Sequence, residues 1–143
     1  MWKSIRKHFK PNNTNQRFRV LVLGPANAGK TTLLERLTDS PAGAAIVSRN
    51  GKRVITTDIR TRGIQNIDDE ITYVSSPDFV FHDSGGFEAG GVKEVEAAWQ
   101  FIRKRSLASP SQQLQAIWCV HLCRFTCHHT LTHQLLQALH SNR

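Results

Sequence analysis

The stretch FRVLVLGPANAGKTTLLERL, residues 18–37, decides the fold of this chain. A run of Val and Leu predicts a central parallel strand over residues 17–23, because its apolar side chains face both ways. Residues 24–31 match the pattern GxxxxGK followed by Ser or Thr, and a helix is predicted from about Thr31 to Thr38. A strand, a glycine-rich turn and a helix in this order predict a loop whose N–H groups surround phosphate oxygens.

The residues of this phosphate loop have separate predicted roles. The ammonium group of Lys30 is expected to reach the β- and γ-phosphates of a nucleotide, and the hydroxyl of Thr31 to bind Mg²⁺. The pattern also occurs in structural turns, but a strand before it and a helix after it favour the phosphate loop. The nucleotide-binding residues predicted from this segment are Gly24, Pro25, Ala26, Asn27, Ala28, Gly29, Lys30, Thr31 and Thr32.

A second candidate segment is DSGG, residues 83–86, which fits DxxG. It follows FVFH, residues 79–82, which predict a short buried strand. Because the carboxyl ends of parallel strands meet at one edge of a sheet, we expect Asp83 beside the phosphate loop. Its carboxylate is predicted to hold Mg²⁺, commonly through a water, and the N–H of Gly86 to contact the γ-phosphate. Alone, the same four letters describe an ordinary turn.

The remaining segments complete the predicted organisation. Residues 44–63 lack clear periodicity and predict a long loop, and residues 64–74 predict an edge strand. A helix over 90–107 and a buried strand over 114–122 follow, and the basic triplet at 103–105 is expected to be a solvated helix end. The predicted fold is α/β, a P-loop NTPase three-layer sandwich with a mostly parallel sheet that is incomplete on its C-terminal side.

Composition and charge limit the class of protein. At 143 residues and 39% hydrophobic content, the chain is long enough to bury one core. It has 19 Lys and Arg against 11 Asp and Glu, and no acidic residue precedes Glu35. Residues 1–16 therefore form a predicted basic arm, for which contact with anionic lipid or RNA, a transit-peptide role and a solvated leader remain open. No apolar stretch approaches the roughly 20 residues that span a bilayer, which favours a cytoplasmic protein.

Three cysteines lie near the C-terminus, at Cys119, Cys123 and Cys127. An odd number without a secretory signal does not suggest a disulfide framework, so we expect reduced thiols. With the histidines around them, these residues also raise the alternative of a Zn²⁺ site. The spacing fits no known zinc finger, and a cysteine within a strand is usually a small apolar residue.

With the phosphate loop, DSGGFE at 83–88 and LQAIWCV at 114–120 in this order, the chain resembles G-domain proteins of the translation-factor-related GTPase class. Residues 62–91 resemble the signature of a fungal group of G domain-containing proteins. The resemblance covers about residues 17–122. It implies that GTP and GDP are the ligands, with Mg²⁺ as the cofactor. Phosphate and Mg²⁺ are then held by Gly24, Gly29, Lys30 and Thr31, and the second switch by Asp83 and Gly86.

The resemblance also implies a first switch with one threonine that contacts Mg²⁺ and the γ-phosphate. Thr57 is slightly favoured because an Ile-Asp-Asp-Glu stretch follows it, whereas Thr61 is better placed by its distance from Asp83. Either threonine can also be a loop residue that caps local backbone. The predicted metal ligands are Thr31, Thr57 and Asp83.

The chain departs from the family pattern in two places. Phe87 stands where many small GTPases have a glutamine that orients water, so slow intrinsic hydrolysis is expected. No NKxD or TKxD follows Asp83, so guanine specificity has no visible source. We therefore predict a basic arm over 1–16, a partial G domain over 17–122 and a divergent Cys- and His-containing tail over 123–143.

Three functions remain open from the sequence. The first is GTP binding with slow hydrolysis of GTP to GDP. The second is a degenerate domain that acts only as an interaction module on a protein partner or, through its basic arm, on RNA. The third is an ATP-using P-loop enzyme, which DSGG fits less well. Binding of fluorescent GTP, GDP and ATP analogues distinguishes among them.

Overall fold

A computed structural model describes residues 16–54, 66–86 and 92–120 of the chain. Within these ranges it contains six strands, two α-helices and one short 3₁₀ turn at Pro110–Gln112. In chain order the elements are β1 Phe18–Leu23, α1 Lys30–Leu37, β2 Ile46–Arg49, β3 Lys52–Val54, β4 Glu70–Thr72, β5 Phe79–Asp83, α2 Val92–Ser106 and β6 Ala116–Cys119.

The six strands form one mixed sheet in the order β3-β2-β4-β5-β1-β6. Strand β1 pairs in parallel with β5 on one side and with β6 on the other. The pairs of β2 with β3, β2 with β4 and β4 with β5 are antiparallel. The sheet thus has a parallel half, whose strands all end at the same edge, and an antiparallel half beside it. The predicted α/β fold is confirmed, although the described sheet is mixed rather than mostly parallel, because the β2–β3 hairpin and β4 add three antiparallel pairs.

The helices lie on opposite faces of the sheet. All six residues of β1 are buried, because one face of the strand is covered by α1 and the other by α2. Side chains alternate along a strand, so Val20 and Val22 pack in one cluster with Leu34 of α1. Leu21 packs in the other cluster with Phe101 of α2. This is the three-layer arrangement that the nearly continuous apolar run of β1 predicts.

The prediction of a long loop over residues 44–63 is wrong for residues 46–54, which form the β2–β3 hairpin. Asn50 and Gly51 connect the two strands with φ values of 51° and 75°. Asn-Gly favours such positive φ values, and the resulting turn suits the twist of a hairpin. Residues 55–63 lie outside the described ranges.

Two other strands differ from their predictions. Residues 64–74 contain the short strand β4, which lies between β2 and β5 and is therefore not an edge strand. The hairpin supplies the strands beyond it. Strand β6 is shorter than the predicted 114–122 and is at most half-buried, because it is the last strand of the described sheet.

Helix α2 agrees with the predicted helix over residues 90–107, but its basic end is only partly solvated. Arg103 and Lys104 are exposed, whereas Arg105 is buried. The guanidinium carbon of Arg105 lies 5.1 Å from the ring centroid of Phe101, and its Nη1 donates to Gln112 Oε1 at 2.6 Å. Residues four apart share one face of a helix, so Arg105 follows Phe101 into the interior.

Candidate functional site

The phosphate loop connects β1 to α1 through backbone that favours glycine. Gly29 precedes the helix with φ 79°, in the left-handed region that side chains with a Cβ rarely adopt. The N–H of Leu33 donates to Gly29 O at 2.8 Å, which begins the helical hydrogen bonding. Because Gly29 has no side chain, it cannot cap the N–H groups of the first turn. Those groups are suited to an anionic ligand.

The first glycine of the loop is required for a different reason. A Cβ on Gly24 would lie 2.5 Å from the carbonyl oxygen of Val120, which follows β6. The N–H of Val120 in turn donates to Leu23 O at 2.7 Å. Gly24 therefore allows the end of β6 to pack directly against the start of the phosphate loop.

Lys30 is buried and turns back over the loop that precedes it. Its Nζ donates to Gly24 O at 3.2 Å and to Pro25 O at 2.9 Å. Nζ also lies 3.7 Å from Oδ1 of Asp83, and both side chains are almost completely buried. The ammonium group is thus held between the phosphate loop and the end of β5.

Asp83 ends β5 directly beside β1, where it is paired in register with Val22. Its Oδ1 accepts a hydrogen bond from the N–H of Gly85 at 3.1 Å. Burial raises the pKa of the Asp83 carboxyl, while the charge of Lys30 and the hydrogen bond from Gly85 act in the opposite direction. A second cation near this carboxylate would further favour its charged form.

The loop after Asp83 touches the phosphate loop through backbone. Gly86 has φ 106°, and a Cβ on it would lie 2.6 Å from Ala26 Cα and 2.7 Å from Ala26 N. No residue with a side chain fits there without a backbone shift. Gly86 thereby brings the DxxG segment against the middle of the phosphate loop, although the two are about 60 residues apart in sequence.

The structure brings the predicted residues of both motifs to one edge of the sheet. Within the phosphate loop, Ala28 is buried, and Pro25, Ala26 and Asn27 are exposed. Thr31 is half-buried and Thr32 is exposed. The two candidates for the first-switch threonine, and also Phe87, lie outside the described residues.

Only one of the three cysteines of the alternative zinc site lies in the described part of the chain. Cys119 is exposed at the end of β6, and the other two cysteines lie outside the described ranges. Among residues 16–54, 66–86 and 92–120, no three His, Cys, Asp or Glu side chains come together as a metal-binding group. No helix in the described part of the chain is long and apolar enough to cross a membrane.

A buried polar layer on the α2 face was not predicted from the sequence. Arg19 donates from Nη1 to Glu70 Oε1 at 2.7 Å and lies 3.4 Å from Nε2 of His82. Burial lowers the pKa of His82 to about 4, helped by the positive charges of Arg105 and Arg19. Two features of the sequence could have indicated this layer: an arginine within the apolar strand FRVLVL and a histidine at the end of FVFH.

A strand, glycine-rich loop and helix with a buried lysine, next to an aspartate at the end of the adjacent parallel strand, define the P-loop class of nucleotide-binding domains. A profile of the 50S ribosome-binding GTPase family matches residues 19–142. Since this is most of the chain, the protein belongs to that family. No curated protein and no solved structure gave a significant match. The narrower resemblance to the fungal group stays a prediction, as do the domain boundaries.

Proposed function

We propose that this chain binds GTP and GDP at the phosphate loop and hydrolyses GTP slowly with Mg²⁺. The observation that carries the proposal is the 3.7 Å distance between Lys30 Nζ and Asp83 Oδ1, at the ends of two adjacent parallel strands. A lysine suits the β- and γ-phosphates of a nucleotide, and an aspartate would suit a Mg²⁺ ion bound with them. Membership of a GTPase family supports guanine as the base.

The side chains that we assign to Mg²⁺ are Thr31, Asp83 and Thr57, with Thr61 as the alternative to Thr57. The donors are hydroxyl and carboxylate oxygens, which suit a hard divalent cation. Asp83 fits this role because its carboxylate is buried at the end of β5, and a further positive charge there would offset the burial that raises its pKa. Bound Mg²⁺ neutralises charge on the phosphate oxygens.

Slow hydrolysis follows from the residue after the DxxG segment. The side chain of Phe87 has no hydrogen-bonding group, so it cannot orient an attacking water. Fast turnover therefore needs a group from elsewhere, such as a partner protein. Single-turnover hydrolysis by the purified chain at rates typical of an assisted GTPase, about 5 s⁻¹ or more, would contradict this assignment.

The binding test is a titration with fluorescent GTP, GDP and ATP analogues in the presence of Mg²⁺. We expect saturable binding of both guanine nucleotides and weaker binding of ATP. Equal binding of ATP would favour the ATP-using enzyme, and no binding would favour an interaction module. The proposal includes a cytoplasmic location, which imaging of a tagged chain tests.

Lys30→Ala and Lys52→Ala form a matched pair for this titration. Lys30 is buried in the loop, whereas Lys52 is exposed on β3 at the far side of the sheet. Loss of a charged hydrogen-bond donor predicts at least about tenfold weaker binding by Lys30→Ala. Lys52→Ala should bind like the wild type. If both variants are folded by circular dichroism and bind the nucleotides with equal affinity, the assignment of Lys30 to the nucleotide site is wrong.

A further inference from the structure

The turn between β2 and β3 consists of two residues, Asn50 and Gly51. Both are exposed, and a Cβ on Gly51 would meet no atom within 4 Å apart from those of its chain neighbours. Among the backbone hydrogen bonds that the described residues form outside helices and strands, none is donated by the Gly51 N–H. The turn is therefore open to water, and nothing packs against it on the side of Gly51.

Asn50 and Gly51 also place a nucleophile beside an electrophile. A bond from the Gly51 nitrogen to Cγ of Asn50 closes an unstrained succinimide ring, and glycine has no side chain to hinder the approach. Ring closure requires the Asn50 backbone to rotate out of the turn conformation, in which its φ is 51°. Within the described sheet, β3 is the last strand and pairs only with β2, so the turn can open locally at small cost.

Positive charge surrounds this turn. Arg49 and Lys52 lie directly opposite each other in the ladder, and both are exposed, as is Arg53. Arg49 is paired with Asp69 at 2.6 and 2.8 Å, whereas Lys52 and Arg53 have no carboxylate partner in the described part of the chain. Nearby positive charge favours the anionic form of a group. It therefore favours the deprotonated Gly51 amide, which is the form that attacks Asn50.

We propose that Asn50 is a site of spontaneous deamidation, with water as the co-reactant. The Gly51 nitrogen loses its proton and attacks Cγ of Asn50, so that the N–Cγ bond forms, the Cγ–Nδ2 bond breaks and ammonia leaves with that proton. Water then opens the succinimide at either of its carbonyl groups, which yields aspartate or isoaspartate at position 50. The modification does not depend on the proposed nucleotide binding.

The two products have different consequences for the hairpin. Aspartate tolerates the positive φ, and Asp-Gly forms the same turn as Asn-Gly. Its negative charge also offsets the repulsion between Arg49 and Lys52. Isoaspartate instead routes the backbone through Cβ and Cγ and so lengthens the turn. Because turn length fixes hairpin register, the pairing of Val47 with Val54 is displaced, and Val47 belongs to the buried core.

The test is to age the purified full chain in mildly alkaline buffer and to locate deamidation by tandem mass spectrometry of its peptides. Asn27 is the internal control, because it is also exposed with a positive φ of 59° but is followed by Ala28, which is buried. We expect Asn50 to show the mass shift of deamidation several-fold faster than Asn27. Enzymatic methylation of isoaspartyl carboxyl groups should label the same position. Equal rates at the two residues, or an unmodified Asn50, would overturn the proposal.

Two variants test the consequences for the hairpin. Asn50→Gly removes the side-chain amide and leaves a Gly-Gly pair that suits the turn, so its Tm should not fall on ageing. If it falls as far as that of the wild type, the loss does not arise at Asn50. Asn50→Asp represents the aspartate product alone and should keep the wild-type Tm. The isoaspartate fraction of the aged wild type should have a lower Tm, and a Tm equal to that of Asn50→Asp would refute the loss of register.

Discussion

Three glycines of the two motifs are needed, for two physical reasons. Gly29 supplies a positive φ before α1, and Gly24 leaves space for the Val120 carbonyl. Gly86 combines both, with a positive φ and a close approach to Ala26. The positive φ values at Gly29 and Gly86 are requirements of the local turn, whereas the close approaches at Gly24 and Gly86 involve residues that are distant in sequence.

Gly24→Ala is predicted to destabilise the chain through β6. The new Cβ meets a backbone oxygen at 2.5 Å, so the end of β6 must move away. Overpacking of this kind costs about 1–3 kcal/mol. Urea denaturation measures the change in the free energy of unfolding.

Gly43→Ala is the control for Gly24→Ala. Gly43 has φ 78°, but a Cβ there has nothing within 4 Å, so only backbone strain of about 1 kcal/mol is expected. If Gly24→Ala lowers the free energy of unfolding no more than Gly43→Ala does, the end of β6 does not pack against Gly24 in solution.

At the scale of elements, α2 is joined to the sheet by a polar layer in which positive charge exceeds negative charge. Arg19 on β1 is paired with Glu70 on β4, and Arg105 on α2 lies close enough to be affected by the charge of Arg19. Burial lowers the pKa of Arg105, and the charge of Arg19 lowers it further. Among the described residues, Arg105 Nε has no hydrogen-bond partner. The proximity of two positive charges and the unpartnered Nε therefore reduce what this layer contributes to stability.

We predict that Arg105→Met changes stability by no more than about 1 kcal/mol, because removal of a buried charge offsets the loss of its contacts with Gln112 and Phe101. Arg19→Met should instead cost about 3 kcal/mol, since Glu70 and the Ser111 carbonyl lose their donor. Thermal unfolding followed by circular dichroism compares the two. A larger loss for Arg105→Met than for Arg19→Met would mean that Arg105 holds α2 in place.

At the scale of the whole molecule, bound nucleotide should stabilise the fold. The site is formed by the ends of separate strands, so it exists only in the folded chain, and a ligand that binds there favours the folded state. Free GTP with Mg²⁺ at about 100 times Kd raises the free energy of unfolding by about 2.7 kcal/mol, which for a chain of this size is about 5–10 °C in Tm. Adding EDTA should remove much of the shift. The same shift with ATP would contradict guanine selectivity, and no shift with GTP would contradict binding.

Much of the fold and half of the candidate site could be predicted from local patterns. The strand, loop and helix around Lys30 are contiguous, so their spacing alone predicts them. Asp83 was predicted because it follows a short apolar strand. The β2–β3 hairpin was missed, although its Asn-Gly turn was a usable signal. The burial of Arg105 follows helical spacing from Phe101 but also requires the sheet that lies opposite it.

The sequence by itself determined a phosphate loop, a second acidic loop and the α/β class, because these depend on residue types at short, fixed separations. Only the tertiary structure decided that Gly86 lies against Ala26, that Val120 lies against Gly24 and that His82 contacts Arg19 and Ile67. These pairs are between 15 and 96 residues apart, as their numbers show. Contacts at such separations depend on strand order and register, which the composition of each segment does not specify.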